Sequence, residues 1–190
     1  YDKRSGKIWF NGKPVDWSDV KIHVLSHGLH YASCVFEGER VYDGEIFKLE
    51  EHTERLYHSA SRMGFVIPYS QDELNKATKD IVAIQKIKNG YVRPIAWRGS
   101  EMMAISAQQT KINVAIAAWE WGPYYDINKG IRLNISRWKR PAPDTIPWDT
   151  KASGLYMICT LSKHDAEQQG FTDSMMLDYQ GNVAEATGAN

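Results

Sequence analysis

Lys151 stands where a side chain could do covalent chemistry. It closes the turn-rich run RPAPDTIPWDT (residues 140–150), which holds Pro141, Pro143 and Pro147, and it precedes Ala-Ser-Gly-Leu-Tyr at 152–156. Prolines fix the direction of the approaching backbone, and the small residues that follow let other atoms come close. A lysine acts as a nucleophile only as the neutral amine. Its ordinary pKa of about 10.4 falls when the group is buried or faces another positive charge. The reaction open to such a lysine is Schiff-base formation with a carbonyl compound. Most lysines are solvated surface groups, so spacing alone leaves both readings open.

Other reactive side chains offer less. His23, His27 and His30 are spaced by four and three, which could align them on one helix side, yet no carboxylate or cysteine joins them in a ligand pattern. The expectation is no metal site. Two cysteines, Cys34 and Cys159, are too few for a disulfide framework and read as reduced thiols. Lys plus Arg (23) balances Asp plus Glu (23), so net charge recruits neither nucleic acid nor an anionic membrane. No apolar run approaches the roughly 18 residues of a membrane span, and no signal-peptide pattern opens the sequence. The expected location is cytoplasmic.

The elements that must position Lys151 can be read from turn and cap signals. GKIWFNGKPVDW (6–17) reads as a hairpin around Asn-Gly, and Asp43-Gly44 marks a second hairpin between strands at 39–42 and 45–49. Leu49, His52, Leu56, Ser59, Ala60 and Met63 recur at helical spacing up to Gly64. Ser70 and Glu73 form a Ser-x-x-Glu capping signature for a second helix, expected to stop at Asn89-Gly90. Strands return in YVRPIAWRG and KINVAIAAWEW, and a further strand in IRLNISRW. A helix is expected over 154–169, closed by Gly170, and then a hairpin turning at 180–182. Strands and helices segregate in the first part, giving an α+β class. The organisation expected is an N-terminal α/β domain over 1–121, a linker over 122–130 and the start of a second domain over 131–190.

RPAPDTIPWDTKASGLYM followed by LDYQGNVAEATGAN resembles the second half of the active site of the class IV aminotransferases, in particular those acting on branched-chain amino acids. HVLSHGLHYASCVFEGERVY, EHTERLYHSA, YVRPIAWRG and AAWEWGPY are similar to the same family in order and approximate spacing, so the resemblance spans nearly the whole sequence. It implies the D-amino acid aminotransferase-like fold of two α/β domains with pyridoxal 5′-phosphate between them. By this resemblance Lys151 matches the Schiff-base lysine that also shuttles the proton. Tyr156 matches the tyrosine beside the ring oxygen, Glu185 the carboxylate at the pyridine nitrogen, and Arg55 the phosphate-binding arginine. Phe36 and Trp121 match pocket walls, and Tyr31 a residue that reaches the neighbouring subunit's site. Arg93 matches the arginine linked to glutamate's distal carboxylate, Tyr91 lies near the substrate α-carboxylate, and Gly38 and Arg40 belong to the same pocket motif.

The resemblance thus implies transfer of the amino group of leucine, isoleucine or valine to 2-oxoglutarate, with the matching 2-oxo acids and glutamate as products, in a homodimer or an assembly of dimers. Two alternatives remain at this point: a D-amino acid aminotransferase or aminodeoxychorismate lyase of the same family, and a non-catalytic dimerising remnant. Because the final residues look like a strand with no partner after it, the second domain is expected to be incomplete in this sequence.

Overall fold

A computed structural model describes residues 1–190. The chain divides into two compact units, Tyr1–Gly122 with Thr150–Ser153, and Pro123–Asp149 with Gly154–Asn190. Thr150–Ser153, expected with the second domain, therefore packs with the first. An extended segment that adds to another unit's strand carries no local signal of its destination.

The first unit opens with a hairpin, β1 (Lys7–Phe10) and β2 (Lys13–Asp16), turning through Asn11 and Gly12, both at positive φ. A short helix α1 (His27–Tyr31) leads to β3 (Cys34–Phe36), β4 (Glu39–Tyr42) and β5 (Glu45–Ile46). The second hairpin turns at Asp43 and Gly44, as expected, but its return strand stops at Ile46 rather than Leu49: Lys48 adopts a left-handed conformation and the helix α2 (Leu49–Arg62) begins. After α3 (Gln71–Ile84) come the long antiparallel strands β6 (Gly90–Arg98) and β7 (Ile112–Glu120). The sheet order is β2-β1-β7-β6-β4-β5, with β3 also pairing with β6.

The two faces of this sheet differ in kind. Val41, Val92, Val114 and Ile116 are fully buried on one face with Leu56 of α2 and Leu74 and Ile81 of α3. Alternation puts Tyr91, Arg93 and Ile95 on the other face, opposite Trp119, Ala117 and Ala115 in the β6–β7 register. Phe36 pairs with Ile95 and Arg40 with Tyr91, so both join that second face. β3 and β4 meet β6 on the same edge, interrupted at Glu37-Gly38. Pro94 fits the gap, because its carbonyl accepts the Glu37 N–H (2.9 Å) and its missing N–H falls where the neighbouring strand is broken.

The second unit is a βαβ crossover with an added hairpin strand. β8 (Leu133–Lys139) and β9 (Asp173–Leu177) are parallel, joined through α4 (Met157–Gln168), and β10 (Val183–Ala186) returns antiparallel to β9. The expected helix over 154–169 is shorter at its start, since Ser153–Tyr156 forms a 3-10 turn before Met157. No helix is long and apolar enough to cross a membrane.

Candidate active site

Lys151 is held by its backbone. Its carbonyl accepts the Phe36 N–H at 3.1 Å, its own N–H donates to Ser59 Oγ at 2.9 Å, and Ala152 bridges Val35 in antiparallel fashion. A serine at 59, fully buried on α2, supplies the acceptor and is small enough for the segment to come close. The side chain runs to the Phe36 ring, with Nζ 5.2 Å from its centroid, and the Arg93 guanidinium carbon lies 4.5 Å from the same centroid. Such contacts draw a cation to the negative ring face and fix where an amine at the end of a flexible stem spends its time.

Arg93 carries the network onward. Its Nη2 donates to Tyr91 Oη at 2.7 Å, and the Tyr91 ring sits 5.2 Å from that of Trp119 and 5.0 Å from that of Trp121. Arg40 donates to the carbonyls of Trp121 (3.2 Å) and Gly122 (3.1 Å), fixing the strand end that carries the Trp121 ring. Gly38 is required by contact: a Cβ there would lie 2.0 Å from Tyr91 Oη. Lys151, Phe36, Arg93, Tyr91, Trp121, Arg40 and Gly38 thus form one connected patch in the first unit.

Arg55 joins a second cluster in that unit. Glu37 has no exposure, and its carboxylate takes Arg55 Nε (2.6 Å) and Nη2 (2.7 Å) as a two-pronged pair, with His52 Nδ1 at 2.8 Å. Burial alone would raise the Glu37 pKa; the bonds and charges of Arg55 and His52 more than offset it and leave the group below the usual carboxylate value. A fork held on two donors fixes the plane of the guanidinium, while half of the Arg55 side chain stays exposed. Glu51, one turn before Arg55, pairs with Lys48.

In the second unit Arg140 is the organising residue. Nε pairs with Glu185 at 3.1 Å, Nη1 donates to Leu155 O (3.2 Å) and to Cys159 Sγ (3.3 Å), and its guanidinium carbon lies 6.0 Å from the Tyr156 ring centroid. Glu185 and Tyr156, both named through the family resemblance, lie around one arginine. The remaining candidates do local work. His27 bonds Ser33 Oγ and Ala104 O, His30 bonds Val24 O, and His23 accepts the Leu25 N–H. Tyr31 stacks on His27 at 4.5 Å.

Sequence reasoning gave no site role to Glu37, His52, Ser59, Trp119 and Arg140. Glu37 and His52 lay inside quoted motifs, and the three-residue step from His52 to Arg55 on one helix was the available signal. Arg140 heads the proline loop with nothing in its type to mark it.

Comparison with known proteins places the chain in a family. The family model for amino-transferase class IV matches residues 34–190, and the chain belongs to that family. It is 42% identical over 183 residues to a probable branched-chain-amino-acid aminotransferase of Rickettsia conorii, covering 96% of this chain and 63% of that protein. The crystal structure of the Escherichia coli branched-chain amino acid aminotransferase superposes with a TM-score of 0.92 at 37% identity, covering 97% of this chain and 64% of that one. The branched-chain aminotransferase of the thermophilic archaeon Thermoproteus uzoniensis, solved with norvaline, gives 0.92 at 33% identity, covering 97% and 64%. The chain therefore spans a little under two thirds of the length of these relatives, and across that span its fold is theirs.

Proposed function

We propose that the protein is a pyridoxal 5′-phosphate-dependent branched-chain amino acid aminotransferase, moving the amino group of leucine, isoleucine or valine to 2-oxoglutarate. The observation that carries the reading is the clamp on Lys151, whose backbone is bonded on both sides and whose amine rests on the Phe36 ring beside Arg93. A solvated lysine needs no such support. Its relatives at 37–42% identity carry the same activity in their names.

The residues fit the cofactor by the chemistry of their donor set. Arg55 would bind the phosphate through a guanidinium that Glu37 already orients. Tyr156 would donate to the ring oxygen, and Glu185, which Arg140 orients, would accept from the protonated ring nitrogen. Bound there, the cofactor supplies an electron sink for the carbon that loses its proton. Lys151 Nζ would hold the group at its aldehyde carbon and, once freed, would carry a proton to and from the substrate α-carbon. Phe36 and Trp121 form apolar walls that exclude water, Tyr91 takes the α-carboxylate, and Arg93 takes the distal carboxylate when glutamate is the donor. Gly38 and Arg40 keep this wall in register, and Tyr31 serves the site of a second copy in a homodimer or an assembly of dimers. The protein works in the cytoplasm.

The test is the absorbance spectrum of purified protein supplied with pyridoxal phosphate. A band at about 420 nm that leucine bleaches, that borohydride abolishes and that Lys151→Ala lacks is the expected result. A band that persists unchanged in Lys151→Ala refutes the role of that lysine.

A further inference from the structure

Two hydrogen-bond donors on the aromatic face of the first unit are buried and have no acceptor: Arg93 Nε and Trp119 Nε1. Buried donors are bonded in the great majority of cases, and each exception asks for an explanation, of which an incoming ligand is one. Both lie on one face of the β6–β7 pair. Tyr91 is directly opposite Trp119 and Arg93 directly opposite Ala117, so Arg93 and Trp119 are diagonal neighbours, a relation within reach of long side chains. Tyr91 sits between them chemically: it accepts from Arg93 Nη2 and packs its ring 5.2 Å from that of Trp119. Trp121 closes the same group at 5.8 Å from Trp119.

What such a place would bind follows from its atoms. Two N–H donors, one of them on a fixed positive charge, set among aromatic rings, suit an anion with two acceptor oxygens and an aliphatic body. An apolar side chain gains only the rings, whereas a carboxylate gains the donors as well. We infer that the Trp119 indole N–H works with Arg93 as a donor for the distal carboxylate of glutamate and 2-oxoglutarate, so that Trp119 determines how well the acidic partner is taken relative to the branched-chain one. This rests on the amino-acid pocket proposed above. Tryptophan suits the task because one side chain supplies an apolar wall for leucine and a donor for glutamate.

Trp119→Phe keeps the ring and deletes the donor. In the pyridoxal phosphate-loaded protein, calorimetry with glutarate and with 4-methylpentanoate separates the two functions without turnover. The variant is expected to bind glutarate about ten- to a hundredfold more weakly, as for loss of a hydrogen bond to a charged group, and 4-methylpentanoate within about twofold of wild type. Glutarate binding unchanged in the variant, or both acids weakened alike, overturns the assignment of Trp119 while the pocket stands. If wild type binds neither acid and leucine leaves the 420 nm band untouched, the pocket reading falls, and this inference with it.

Discussion

Replacing Glu39 with glutamine should stabilise the protein, by an amount that grows with pH. Glu39 is 1% exposed, pairs across the sheet with Val92 on the helix-covered face, and neither carboxylate oxygen has a partner. Burial, and then the nearby Glu37 charge, push its pKa from an ordinary 4.5 up to about 8. The folded protein therefore holds a proton that the unfolded chain releases above 4.5. Stability conferred by the neutral group is complete below 4.5, declines as pH rises and levels off above about 8. At about 1.4 kcal/mol per pH unit, wild type has lost about 3 kcal/mol by pH 7 and about 5 above pH 8. Glutamine keeps the shape and one carbonyl acceptor, and cannot ionise. Urea unfolding of both proteins from pH 5 to 9 should give curves that converge at the acid end, diverge across neutrality and run parallel beyond pH 8. Curves that stay parallel throughout would refute the reasoning, because they would mean that Glu39 ionises inside the fold as readily as outside it.

Gly38→Ala should push the Tyr91 hydroxyl from its place and cost about 1–3 kcal/mol, read by denaturant unfolding and by altered tryptophan fluorescence. Unchanged fluorescence would place the contact elsewhere. Arg140→Leu leaves Glu185 and the Leu155 carbonyl without their donor and should lower stability by about 2 kcal/mol in guanidinium titrations, with lysine restoring less than half because it lacks the fork. Lys86→Gly should raise stability by about 0.5 kcal/mol in the same assay, since Lys86 is held at φ 54° and glycine meets no Cβ penalty there.

That last residue explains part of what the sequence concealed. All three long helices end alike: the N–H two residues past the helix cap bonds back to the last turn, as Phe65 does to Ala60, Ile87 to Val82 and Phe171 to Ala166. In two of them the left-handed residue is glycine, Gly64 and Gly170, and those ends were legible. In α3 it is Lys86, so the end at Ile84 was hidden and the stop was assigned to Asn89-Gly90, where β6 in fact begins. The starts were clearer: Ser70 and Glu73 make the reciprocal capping box that their spacing announced. For the candidate site, the residues were named one by one through the family resemblance. Their supports were not, because Glu37, Ser59 and Arg140 act through partners 18, 92 and 45 residues away, and nothing local announces such a partner.

The route of the chain also dictates an order of assembly. It leaves the first unit after Gly122, returns for four residues at Thr150–Ser153 and leaves again. During synthesis the hairpins, α2 and α3 can form as soon as they emerge, yet the edge of β3 at Val35 has no neighbour until Ala152 arrives. Ser59 likewise waits, buried on its helix, for an N–H made 92 residues later. The nascent first unit is thus a nearly finished body with one open seam, and the strip that closes it is the one bearing Lys151.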